Sequence, residues 1–130
     1  MIVSPSDFGF HNALLDDDGR VGFIDFEYAG RDDPAKLICD FFCCPQTPHP
    51  SSAFERFHCR VAGGAGLSPA VSARAAALLD VYRIKWVCIS LNDFSPVGAS
   101  RRAFALSEDR AARCVDQLET ARGIIDQIAA

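Results

Sequence analysis

Asp7, Asn12 and Asp25 are the residues near the N-terminus whose types and spacing could do chemistry. An aspartate and an asparagine five positions apart on a loop, followed thirteen positions later by an aspartate in the apolar setting Phe23-Ile24-Asp25-Phe26, match the constellation of a phosphoryl-transfer site. In that chemistry Asp7 accepts a hydrogen bond from the acceptor hydroxyl, aims its oxygen at the γ-phosphorus, and receives the proton late in a loose transition state. Asn12 offers a carboxamide oxygen and Asp25 a carboxylate to Mg2+, because a hard cation prefers oxygen donors and lets nucleotide phosphates complete its shell. Taken singly, each residue is also an ordinary turn former. Order, spacing and the apolar bracket around Asp25 favour the joint reading.

Asp7-Phe8-Gly9 spells the triplet that marks the metal-binding aspartate of protein kinases, but spacing rejects that assignment. A metal aspartate at position 7 needs a catalytic loop well upstream, where only six residues stand. With Asp7 in the catalytic loop, Asn12 and Asp25 fall where partners are required, and Asp25-Phe26-Glu27 is the metal motif.

These residues need elements to hold them. Ala13-Leu14-Leu15, the turn Asp16-Asp17-Asp18-Gly19-Arg20 and the β-rich run from Val21 to Phe26 predict a hairpin. Asp33 can cap and Pro34 can open a helix, placed at 34 to 44. Three prolines make Pro45 to Ser52 a loop, and a helix from about 52 to 62 ends at Gly63-Gly64-Ala65-Gly66. That glycine run has neither a preceding strand nor a following Lys-Ser/Thr, so it is a helix-ending loop and not a phosphate cradle. Ser68-Pro69 opens the longest helix, from 69 to about 92, with Val71, Ala75, Leu78, Leu79, Tyr82, Trp86, Ile89 and Leu91 mainly at three- and four-residue steps. Ser107-Glu108-Asp109 opens a last helix to about 128, striped by Ala111, Val115, Leu118, Ala121, Ile124, Ile125 and Ile128.

The run Ser4-Pro5-Ser6-Asp7-Phe8-Gly9-Phe10-His11-Asn12, with Asp25-Phe26-Glu27-Tyr28-Ala29-Gly30 and Asp32-Asp33-Pro34-Ala35, resembles the aminoglycoside phosphotransferase and choline kinase superfamily. The resemblance covers residues 4 to 40, and the later helices are similar to the rest of that family's C-terminal lobe. It implies an α+β, mainly helical, protein-kinase-like C-terminal lobe in which Asp7 is catalytic and Asn12 and Asp25 bind magnesium. It further implies that Asp40 braces the catalytic loop through backbone hydrogen bonds. Glu27, Asp32 and Asp33 could add negative potential that favours a cationic substrate, although Asp33 is more simply the cap of the helix at Pro34. Two departures stand out: Pro5 occupies the place where the family has histidine, and no glycine-rich nucleotide cover or strand-borne lysine of an N-terminal lobe is present. Lys85 lies inside the long helix and is read as surface or substrate-side.

Composition sets the frame. At 130 residues with 49% apolar and 23% charged side chains, the chain is expected to form one domain, residues 1–33 carrying the catalytic loop and hairpin and 34–130 the helices. Thirteen basic against seventeen acidic residues give a net charge of −4, which excludes the basic footprint of a nucleic-acid binder. No apolar run reaches the ~20 residues of a membrane span and no signal peptide is evident, so a cytoplasmic location is expected. In that reducing setting the six cysteines are expected as packed free thiols rather than bridges or zinc ligands, since no CxxC pair or HxxxH occurs.

The expected function is that of the C-terminal portion of a small-molecule kinase, moving the γ-phosphoryl group of ATP to a substrate hydroxyl with Mg2+. A non-catalytic remnant or binding domain, and a partner-binding helical bundle with an incidental loop, are the alternatives. Expected partners are a hydroxyl-bearing small molecule and either the missing N-lobe or an oligomer partner, with neither nucleic acid nor membrane. Tyr82, Trp86, Asn92 and Asp93 are candidate lining residues of an acceptor pocket.

Overall fold

Short-range turn chemistry builds the N-terminal part of the molecule. In the computed structural model, which describes residues 1–105 and 109–129, Asp16 Oδ1 accepts the backbone N–H groups of Asp18 (3.0 Å) and Arg20 (2.7 Å). Gly19 supplies the left-handed φ of +78° that the turn needs. The turn joins β2 (Ala13–Leu15) to β3 (Val21–Phe23) in the hairpin that the sequence predicts, antiparallel with Ala13 opposite Phe23, the second strand ending at Phe23 rather than Phe26. A second antiparallel pair has no signal in the sequence: β1 (Ile2–Ser4) lies beside β4 (Gly30–Asp32), with Ser4 opposite Gly30. It brings the start of the loop to the start of the first helix.

That helix, α1 (Pro34–Cys43), begins where the sequence places it. Asp33 Oδ1 accepts the Ala35 N–H at 3.0 Å, Pro34 stands in the first turn, and Arg74 pairs with Asp33 Oδ2 at 2.6 Å. α1 is the core element of its unit: Ala35, Ile38 and Cys39 are fully buried, and Phe41, Cys43 and Cys44 nearly so. All six cysteines are free thiols. Two of them fasten α1 to α3 (Ala70–Ser90), Cys39 Sγ donating to the Ala75 carbonyl at 3.3 Å and Cys43 Sγ to that of Leu79 at 3.7 Å. Burial, helped by the charges of Asp40 and Asp33, pushes the Cys39 thiol up to about 12, so it stays a protonated donor.

The chain divides into two units, Met1–Leu79 and Asp80–Ala130, with α3 starting in the first and ending in the second. The first unit also holds α2 (Phe54–Gly64), entered through a 3-10 turn at Ser51–Ala53. The second holds a 3-10 turn at Leu91–Phe94, α4 (Pro96–Ala105) and α5 (Arg110–Ala129). The chain is thus α+β and mainly helical. α4 occupies a stretch for which the sequence predicts no element. Of the predicted start of the last helix, Ser107 and Glu108 lie outside the described residues, while Asp109 Oδ1 accepts the Ala111 N–H at 3.3 Å.

The buried face of α5 differs from the apolar stripe expected for it. Arg113, Gln117, Ala121 and Ile124 are buried, whereas Val115, Leu118 and Ile125 are exposed. The reason is Asp93, fully buried in the preceding 3-10 turn: its Oδ2 accepts from Arg113 Nε at 3.1 Å and from Gln117 Nε2 at 3.0 Å. A buried carboxylate requires such donors, and their need turns the helix away from its most apolar stripe. Asp93 is therefore a structural ion-pair centre of the second unit and not a lining residue of an open pocket.

Candidate active site

The segment carrying Asp7 is a tight turn under backbone constraint. The Asp7 N–H donates to the Pro5 carbonyl at 2.9 Å, closing a three-residue turn around Ser6, whose φ is +68°. The buried Ser4 hydroxyl oxygen accepts the Ser6 N–H at 2.9 Å. Pro5 supplies the carbonyl that fixes Asp7 and limits φ on the entering side.

Two aromatic rings anchor the loop beyond this turn. Phe8 lies 4.9 Å from Phe23 of β3 and 5.4 Å from Phe41 of α1, and Phe10 meets Phe41 edge-on at 5.6 Å. Between them Gly9 leaves room for the His11 ring, which any side chain at this position would displace. A Cβ there would stand 2.5 Å from His11 Cε1, because the imidazole folds back over Gly9 to bring Nε2 within 3.2 Å of Asp7 Oδ1. Asp7 itself keeps half of its side chain in solvent.

Asn12 ties the loop to the hairpin. Its Nδ2 donates to the Asp7 carbonyl at 3.0 Å, and its own carbonyl accepts the Ile24 N–H at 2.9 Å, extending the β2–β3 ladder to the residue before Asp25. The amide nitrogen is thereby used, and Oδ1 accepts no hydrogen bond among the described residues. Asp25 then leaves the ladder with φ +62°. Among the described residues, Ser6 and Asp25 are the non-glycine residues with positive φ, each costing on the order of 1–3 kcal/mol. One adjoins the expected catalytic aspartate and the other is the expected metal ligand. The bracket around Asp25 is apolar but not buried: Ile24 and Phe26 face solvent, and only Phe23 is partly covered.

Tyr28 reports on the charges gathered here. Its phenol is pushed above its ordinary range chiefly by the neighbouring Glu27 carboxylate, with smaller contributions from desolvation, Asp25 and Asp7.

Lys36, for which the sequence predicts no role, holds the arrangement from below. Its Nζ reaches Asp32 Oδ2 at 2.8 Å, Asp40 Oδ2 at 3.3 Å and Ser6 Oγ at 3.3 Å, joining β4, α1 and the strained turn. Asp40, buried in α1, is linked to the loop through this ammonium. Burial disfavours the charged form of both Asp32 and Lys36, but their pairing outweighs it. The Asp32 carboxyl is held below its usual range and the Lys36 ammonium above. The spacing of Asp32, Lys36 and Asp40 at four-residue steps is the signal available in the sequence. Lys36 partly offsets Asp32, sharing its one charge with Asp40, and Arg74 pairs with Asp33, so both of these acidic residues are engaged in ion pairs.

Among the described residues no group of three or more His, Cys, Asp or Glu side chains could hold a metal ion. The donors present, a carboxylate and a carboxamide oxygen, fit a hard cation shared with phosphate oxygens and water rather than one caged by protein alone. Among the described residues no helix is long and apolar enough to cross a membrane. Comparison with protein-family models, with curated proteins and with solved structures finds no match to this chain.

Proposed function

We propose that this chain is the C-terminal portion of a small-molecule kinase, transferring the γ-phosphoryl group of ATP to a substrate hydroxyl. The observation that carries the reading is the double role of Asn12, whose side chain holds the Asp7 backbone while its main chain holds the residue before Asp25. Asp7 accepts the hydrogen bond of the incoming hydroxyl, orients its oxygen for in-line attack, and takes up the proton as the new bond forms. Asn12 Oδ1 and Asp25 would hold Mg2+, which when bound neutralises phosphate charge developing in the transition state. The strained turn at Ser6, pinned by Lys36, keeps Asp7 in place before substrate arrives, so that positioning costs little during reaction.

The test is phosphoryl transfer from ATP to a panel of hydroxyl compounds by the protein together with any N-terminal lobe encoded with it. Asp7→Asn is expected to lose turnover while retaining nucleotide binding, and Asp25→Asn to lose turnover together with magnesium dependence. Turnover that persists in either variant overturns the assigned role, and a folded protein with no transfer to any acceptor supports the binding-domain alternative.

A further inference from the structure

The first unit holds a cavity of about 250 Å³ beside the loop. Phe41 is buried in its wall between two stacked neighbours, Phe57 at 4.5 Å with planes 5° from parallel and His49 at 4.2 Å, so the stack turns edges and not a free Phe41 face to the cavity. Phe10, three residues after Asp7, also lines it. An enclosed apolar space of about 150 Å³ is enough for a benzene ring, so this cavity has room for one ring and a short polar arm.

Its polar lining has one sign. Arg56 and Arg60 stand one turn apart on α2, both exposed, and neither makes an ion pair or side-chain hydrogen bond among the described residues. Two cations at this spacing repel each other and weaken the helix. Of the other cationic side chains of the unit, Arg20, Lys36 and Arg74 each have an aspartate, whereas Arg31 is exposed like Arg56 and Arg60. His49 Nε2 is buried with no hydrogen-bond partner, a cost that a ligand atom could relieve. Burial lowers the His49 pKa, which favours the neutral ring able to donate or accept one such bond.

We propose that this cavity is the acceptor subsite and takes a small molecule with one aromatic ring and an anionic group, the ring edge-on to the Phe41–Phe57 stack and the anion at Arg56 and Arg60. The assignment of the cavity to the acceptor rests on the phosphoryl-transfer reading, while the chemistry of the ligand rests on the cavity alone. An arginine pair recognises a carboxylate or phosphate by paired, charge-assisted hydrogen bonds, and a cation would meet repulsion there.

The probe is 4-hydroxyphenylacetate, which carries ring, carboxylate and hydroxyl, titrated calorimetrically into the full chain without nucleotide or magnesium. Its cationic counterpart 4-hydroxyphenethylamine serves as the control. Saturable binding of the acid is expected, weakened at least about tenfold in Arg56→Gln/Arg60→Gln, with the amine binding at least about tenfold more weakly than the acid. Circular dichroism of the double variant, both of whose changes are at exposed positions, checks that the fold is kept. Absence of saturable acid binding, equal affinity in the double variant, or equal affinity for the amine overturns the proposal. Because the titration contains neither nucleotide nor magnesium, its outcome is read separately from that of the phosphoryl-transfer assays on Asp7→Asn and Asp25→Asn.

Discussion

Replacing Lys36 by methionine removes an ammonium that joins the strained turn, β4 and α1 while keeping the length of the side chain. Its ammonium contacts Asp32, Asp40 and Ser6 at 2.8, 3.3 and 3.3 Å, and the Asp32 and Asp40 carboxylates are mostly buried. Stranding a fully buried charge costs about 3–5 kcal/mol, and a lost charged hydrogen bond about 1.5–3 kcal/mol. Lys36 keeps 29% of its side chain in water, which screens the remaining carboxylates and sets the expectation at about 2–3 kcal/mol. With a urea slope of about 1.5 kcal/mol/M the unfolding midpoint should fall by roughly 1.5 M. The pH dependence follows from the two shifts. Asp32 is held below its ordinary 3.8, so its contribution is present above that value and lost as pH falls through the lower folded one. Lys36 is held above its ordinary 10.5, so its contribution is complete below that value and lost as pH rises through the higher folded one. The gap between wild type and variant should therefore be widest and flat from roughly pH 4 to 10 and narrow outside it. Urea unfolding followed by circular dichroism at pH 7 and at about pH 3 measures it. A gap below about 0.5 kcal/mol at pH 7, or one unchanged at about pH 3, refutes the reasoning.

Two further outcomes rest on the packing. Thiol titration of the native chain should modify Cys59 and Cys88 first and leave Cys39, Cys43 and Cys44 unreacted until unfolding exposes all six, and prompt reaction of Cys39 would contradict its role as a buried donor to Ala75. Arg113→Met, which withdraws a buried donor from the fully buried Asp93, should destabilise the second unit by about 3–5 kcal/mol in urea, against less than about 1 kcal/mol if the pair were unimportant.

Much of the first unit is written in local signals. The Asp16–Arg20 turn, the Asp33-Pro34 helix start and the long stripe of α3 each depend on residues within one or two turns of each other, and each element stands where those residues put it. Contacts between distant segments leave no period to read. The β1–β4 pair is made of three-residue strands far apart in the chain, too short for alternation to show. The buried face of α5 departs from the apolar stripe because Asp93 selects Arg113 and Gln117, a choice made by burial and not by hydrophobic spacing. At the site, residue types and order nominate Asp7, Asn12 and Asp25 as candidates, and they give the cap role of Asp33, which its bond from the Ala35 N–H bears out. The left-handed backbone at Ser6 and Asp25 and the bridging of Asp32, Asp40 and Ser6 by Lys36 arise from tertiary contacts.

Where a divalent cation settles decides whether the loop and hairpin form a phosphoryl-transfer site. Manganese, which substitutes for magnesium and broadens the NMR signals of nearby nuclei, can be added with ADP to the isotope-labelled chain. Selective broadening of the backbone amides of Asp7, Asn12 and the segment from Ile24 to Tyr28, lost in Asp25→Asn, is the predicted result. Broadening centred instead on the acidic turn Asp16–Asp18, or a pattern indifferent to Asp25→Asn, would contradict it.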